Sequence, residues 1–216
     1  LIFIIVPVHI THMHRKITFL VTIALLFILL GVGTAAALTW QNETVDSGGY
    51  GEYSSIALNV AGEPRVSYYD RAHGDLRFAK NNYDGGGWRI ETVDSAGDVG
   101  LYSSLALTSA GTPCISYYDY TNGNLKYAAY SGSAWTIQTV DSAGDVGLYT
   151  SLTLNDYGEP CISYYDQTNG DLKYAVHAPS GWTIQTVDSA GDVGQYGSLA
   201  RDYADEPCIS YFDAAN

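Results

Sequence analysis

The segment Ser151–Ala175, SLTLNDYGEPCISYYDQTNGDLKYA, recurs along the chain and limits what it can fold into. It returns from Ser104 as SLALTSAGTPCISYYDYTNGNLKYA, from Ser55 as SIALNVAGEPRVSYYDRAHGDLRFA, and from Ser198 as the shorter SLARDYADEPCISYFDAAN. Trp88, Trp135 and Trp182 mark one point of the repeat and fall 47 residues apart, with Trp40 48 residues before Trp88. A period of roughly 40–50 residues built from short strands predicts a β-propeller with one blade per repeat. The expected class is all-β, with four-stranded antiparallel blades.

Four strands fit each period. SLAL is the innermost, its small residues suiting a crowded axis. CISYYD follows, rich in strand formers, then LKYA, then WTIQTVD with its period of two. The turns agree with this division. Gly-x-Pro joins the first two strands, with Gly at a positive φ and Pro at a strand start. Asn122-Gly123 and Asn169-Gly170 join the next two as hairpins. The predicted blades cover 54–94, 103–141, 150–188 and, in part, 197–216, with a lone closing strand at 40–46. Three whole blades and two partial ones describe an incomplete fragment of a propeller, since closed rings have about 4–8 blades.

The stretch before Trp40 has another character. From Met13, a basic His14-Arg15-Lys16 precedes an apolar run from Ile17 to Val32 and the small residues Thr34 to Ala37. Residues 1–37 therefore read as an N-terminal extension carrying a signal peptide, the A-x-A pattern favouring cleavage over an uncleaved membrane anchor. Either way the repeats are expected to be secreted or extracellular. Membrane association is expected only through this segment.

Charge narrows the partners. The net charge is −13, with 23 acidic against 10 basic residues, so nucleic acid is excluded as an expected partner. Cys114, Cys161 and Cys208 share one repeat position, too far apart for disulfides between blades, and read as buried thiols. Arg201 and Asp205 replace a Leu and a Gly of the other copies, and Arg201 suggests an exposed edge.

One face of a propeller collects the connections into the inner strands together with the hairpins after the second strands. It gathers Asp98, Tyr102, Asp145, Tyr149, Asp192 and Tyr196 from the former, and Asp119, Asn122, Asp166 and Asn169 from the latter. Carboxylates beside tyrosines suit a sugar, since tyrosine offers an apolar face and a polar tip. The competing reading makes Asp94, Asp141 and Asp188 turn caps and the repeated residues the glue of the fold. Carboxylates also suit Ca²⁺, which stays the weaker alternative because D-S-A-G-D-V-G lacks Ca²⁺-loop spacing; no other cofactor is expected. No G-x-S-x-G, H-E-x-x-H or Cys/His zinc pattern occurs, and no catalytic residue is assigned.

The repeat G-x-Y-x-S-L-A-L…G-x-P-x-I-S-Y-Y-D-x-x-N-G-D-L-K-Y-A…W-x-I-x-T-V-D resembles those of exported prokaryotic tandem-repeat β-propellers, similar to sialidase-like (BNR, Asp-box) propellers and propeller lectins. The resemblance runs from Trp40 to Asn216. It implies a secreted or surface module that binds glycan or a cell-surface protein. The alternatives are a sialidase-like glycoside-acting enzyme fragment and a structural envelope repeat protein. The Asp-box itself is poorly matched: Tyr130-Ser-Gly-Ser-Ala-Trp135 keeps little but the Trp. The arginines recur at no shared site, so no catalytic role carries over.

Overall fold

The computed structural model describes residues 3–7, 40–48 and 51–214. The expected signal segment from Met13 to Ala37 lies outside the described residues. Strand β1 (Phe3–Pro7) pairs antiparallel with β2 (Trp40–Thr44), Pro7 opposite Trp40. The strand expected to stand alone at 40–46 thus has a partner from the N-terminal extension. The two strands belong to a small unit of their own.

The second unit is the repeat array, and it contains no helix among the described residues. The first blade is β3 (Gly51–Leu58), β4 (Pro64–Asp70), β5 (Asp75–Asn81) and β6 (Trp88–Asp94). The second is β7 (Val99–Leu107), β8 (Pro113–Asp119), β9 (Asn124–Tyr130) and β10 (Trp135–Asp141). The third is β11 (Val146–Leu154), β12 (Pro160–Asp166), β13 (Asp171–Ala178) and β14 (Gly181–Asp188). Each is a four-stranded antiparallel meander in chain order. A two-stranded sheet, β15 (Val193–Arg201) with β16 (Pro207–Asp213), forms the fourth, partial blade. The inner strands neighbour one another in the order β3, β7, β11, β15. This is an open run of propeller blades.

The core lies in the seams between blades. Leu76, Phe78 and Val93 of the first blade pack with Val99, Leu105, Ile115 and Tyr117 of the second. Cys114, Leu125, Tyr127 and Val140 of the second pack with Val146, Leu152, Ile162 and Tyr164 of the third. All seven residues of β8 and of β12 are buried, because a blade covers each of their faces. Burying such side chains contributes roughly 1.5–3 kcal/mol each. The near-identical PCISYFD of β16 has no such cover and is mostly exposed. Cys208 is accordingly exposed, while Cys114 and Cys161 are buried, which corrects the expectation for the third thiol. Arg201 is also corrected. Its side chain is largely buried and pairs with Asp205, so the two departures from the repeat compensate each other. Asp205 holds the left-handed φ of 62° that Gly holds in the other copies.

The inner strands begin four to five residues earlier than SLAL predicts. Their extra residues are absorbed in bulges, with register shifts between Val99 and Leu101 and between Leu101 and Ser104. Gly147, at φ +103°, makes one such shift; a Cβ there would stand 2.6 Å from Leu125 Cα of the preceding blade. Side-chain hydroxyls then tie the inner strands together. Ser55, Ser104 and Ser151 Oγ accept the amides of Leu105, Leu152 and Leu199 of the next strand, each at 3.0 Å. Deeper in each seam, Ser67 bonds Ser103 at 2.9 Å and Ser116 bonds Thr150. The next pair is broken because Gly197 stands where Ser103 and Thr150 stand, leaving the buried Ser163 Oγ without a partner.

Two outcomes follow for thermal denaturation. Gly197→Ser should stabilise the chain by about 1 kcal/mol, satisfying Ser163 and removing a flexible residue, since the added Cβ meets nothing nearer than 3.6 Å. Gly147→Ala should destabilise it by at least about 2 kcal/mol, because a left-handed backbone and a backbone clash coincide.

Candidate functional site

The face that carries the site is assembled by the strand ends. Each connection into an inner strand is wedged between the hairpins of two blades. The Val99 amide donates to Gly74 O of the first blade, and the amides of Tyr120 and Thr121 donate to Asp98 O from the second. Thr121 Oγ1 accepts the Asp98 amide at 2.7 Å, and Thr168 does the same for Asp145.

The aspartates ending the outer strands serve this assembly. Asp94 Oδ1 accepts the Ala96 amide at 3.0 Å, the expected turn cap. Its Oδ2 reaches into the next blade, accepting the Tyr117 hydroxyl at 2.7 Å and the Lys126 ammonium at 3.1 Å. Asp141 repeats the arrangement with Ala143, Tyr164 and Lys173. Lys126 also pairs with the fully buried Asp119, and Lys173 with Asp166. Burial pushes the Asp94 and Asp141 carboxyls up. The turn amide, tyrosine hydroxyl and lysine ammonium outweigh it and hold both below the ordinary 3.8. Burial likewise opposes the charge on Lys126, but its two carboxylates raise it above the ordinary value.

The residues singled out from the sequence therefore separate into two groups. Asp119 and Asp166 are fully buried and committed to Lys126 and Lys173 and to the hairpin residues Asn122 and Asn169, whose amides and side chains they accept. Asn122 and Asn169 are exposed turn residues. Asp98, Asp145 and Asp192 each accept a tyrosine hydroxyl from the preceding blade, from Tyr69, Tyr118 and Tyr165 at 2.8, 2.5 and 2.6 Å. These carboxylates are seams between blades.

Tyr102, Tyr149 and Tyr196 form the second group. They stand in a row with Tyr53, which the sequence reading did not include. Neighbouring ring centroids are 4.6, 4.6 and 4.5 Å apart, at tilts near 50°. All four sit at left-handed φ, between 50° and 55°. With Ser54, Ser103, Thr150 and Gly197 they line a groove of about 230 Å³ along the inner strands. Burial, then the adjoining tyrosines, raise the Tyr102 hydroxyl above its ordinary value of 10.0, so it stays a neutral donor at physiological pH. Tyr53 was legible in principle: it precedes Ser54-Ser55 as Tyr102 precedes Ser103-Ser104.

A second cavity, of about 350 Å³, lies between the first and second blades and is lined by Arg65, Lys80, Arg89, Glu91 and Tyr130 among others. Among the described residues, no group of three or more His, Cys, Asp or Glu is placed to hold a metal ion.

No family model and no curated protein sequence matches the chain. Solved structures do. A Dyadobacter fermentans protein of unknown function superposes with a TM-score of 0.55 at 12% identity, over 72% of this chain and 47% of its own. The intramolecular trans-sialidase of Ruminococcus gnavus gives 0.52 at 16%, over 80% and 43%. The SapL1 lectin, solved with α-methyl fucoside, gives 0.50 at 18%, over 76% and 60%. The chain thus spans less than two thirds of the length of each. At these identities the likeness concerns the fold: this is a β-propeller array similar to those of sialidases and lectins.

The lowered carboxyls set the pH dependence of stability. A carboxylate held below its unfolded value stabilises above that value, and the effect is lost as pH falls through the folded one. A lysine held above its value stabilises below about pH 10, and that is lost as pH rises further. Thermal stability should be level between about pH 5 and pH 10 and fall below about pH 4. The double variant Asp94→Asn, Asp141→Asn should be less stable at pH 7 and show a shallower acid decline. In thiol labelling at neutral pH, Cys208 should react, while Cys114, whose thiol burial pushes up to about 11, should react only after unfolding.

Proposed function

We propose that this chain is an exported β-propeller binding module that recognises glycans along the tyrosine groove. The observation that carries the reading is the row of four tyrosines at left-handed φ. A bulky residue in that conformation is a genuine outlier, costing about 1–3 kcal/mol, and Gly or Asn would hold it at less cost. Strain kept at all four equivalent positions argues for a use of the rings themselves. Rings near the axis, with hydroxyls at their tips and the exposed Ser54 beside them, offer apolar faces and polar edges in the alternation a sugar presents. The lectin and trans-sialidase among the similar folds support a saccharide ligand at the level of the fold. Export rests on the leader pattern before Ala37.

A glycan array, read with and without EDTA, tests the proposal. Neutral saccharides should bind saturably and independently of chelator. Tyr149→Asn, which suits a left-handed backbone, should weaken that binding roughly tenfold, about 1.4 kcal/mol, while moving the melting temperature little. Binding of a cell-surface protein and of no glycan would favour a protein receptor. Turnover of glycoside substrates would favour an enzyme.

A further inference from the structure

The cavity between the first two blades has a chemistry that the other seams lack. Arg65 stands where Cys114 and Cys161 stand, Lys80 where Ala129 and Val176 stand, and Arg89 where Thr136 and Thr183 stand. Three cations thus converge on one cavity of about 350 Å³ in a chain of net charge −13. That volume is within the roughly 300–1,000 Å³ of small-ligand sites.

Two of the cations sit in partly exposed ion pairs, the Lys80 pair long and the Arg89 pair closed at 2.6 Å. Arg65 is fixed at the back, donating to Pro64 O, Asn81 O, Glu63 and Asn82. Lys80 meets Glu91 at 3.6 Å with both side chains about one third exposed, and Arg89 meets Asp84 at the rim with about half of its side chain exposed. Exposed pairs of this kind contribute about 0–1 kcal/mol and exchange readily. The Lys80 ammonium also lies 5.9 Å from the centre of the Tyr130 ring, so a cation and an aromatic face adjoin.

Glu91 has a second partner within the logic of the repeat. One blade on, its equivalent Gln138 accepts the indole N–H of Trp182 at 2.9 Å. The corresponding indole, Trp135, is buried at its Nε1 and has no acceptor there, while Glu91 is turned to Lys80. Trp135 packs against Phe78 and Tyr130, both of which line the cavity. A buried N–H left unmet costs roughly 1–3 kcal/mol.

We propose that this cavity binds an acidic sugar, whose oxyanion takes Lys80 from Glu91 and whose ring lies beside Tyr130. Glu91, released, accepts the Trp135 indole as Gln138 accepts that of Trp182. Arg89 closes on the oxyanion from the rim. The exchange swaps a screened ion pair for a ligand ion pair and satisfies a buried donor. That the ligand is a sugar rests on the glycan reading above; that it is an anion rests on the cavity alone.

Titration calorimetry of the full chain at low salt, with Trp emission followed in parallel, tests this. The probes are methyl glucuronide, glucose 6-sulfate, methyl glucoside and inorganic sulfate. Both acidic sugars should bind and shift Trp emission, methyl glucoside should not, and inorganic sulfate should bind at least tenfold more weakly. Lys80→Gln should weaken the acidic sugars tenfold or more. Glu91→Gln, which leaves Lys80 unpaired and can still accept from Trp135, should tighten them several-fold. Equal binding of methyl glucoside, sulfate as tight as the sugars, or an affinity unmoved by both variants would overturn the site. Array binding of neutral glycans without acidic-sugar binding would remove this site alone. The reverse would leave it standing without the tyrosine groove.

Discussion

The array depends on a carboxylate that ends one blade and is satisfied by the next. Asp94 and Asp141 are buried, and a buried charge is tolerable only when paired and hydrogen-bonded. Each receives a tyrosine hydroxyl and a lysine from the following blade as well as its own turn amide. Removing one partner of such a group costs far more than the pair contributes, about 3–5 kcal/mol. The blades therefore cannot slide past one another without leaving a buried charge unmet.

That constraint explains why the carboxylates make a frame and the tyrosines make a surface. Asp98, Asp145 and Asp192 clamp the tyrosines of the preceding blades, and the inner strands bulge at Gly100, Gly147 and Gly194, which press against Leu76, Leu125 and Leu172 of those blades. Two residues on from these glycines, Tyr102, Tyr149 and Tyr196 sit at left-handed φ and line the groove. Strain at the groove is thus held by the rigidity of the seams beside it, as expected of a binding surface on a stiff scaffold.

Departures from the repeat divide along the same line. Some are compensated, as when Arg201 and Asp205 replace a Leu and a Gly and bond each other. Gly197 is uncompensated and leaves Ser163 unmet. Those in the first blade do something else: Arg65, Lys80 and Arg89 gather into one cavity, and they do so where a glutamate has left an indole unsatisfied. Repetition supplies the scaffold, and individuality concentrates where one copy differs from the rest.

The sequence by itself determined the blade, its four strands and its turns. Period, Asn-Gly hairpins and Gly-x-Pro turns are local signals that a strand obeys wherever it lies. It also placed the aspartates and tyrosines on one face. It did not reveal which of these would be consumed: Asp94 reads as a turn cap in sequence and becomes a link between blades because Tyr117 and Lys126 arrive from the next repeat. Nor could it pair Trp40–Thr44 with Phe3–Pro7, bury Arg201 against Cys161 and Tyr174 of the preceding blade, or expose Cys208 in a motif that is buried twice elsewhere. Burial and pairing depend on what packs against a strand, and that is a property of neighbours 20 to 50 residues away, which only the tertiary structure decides.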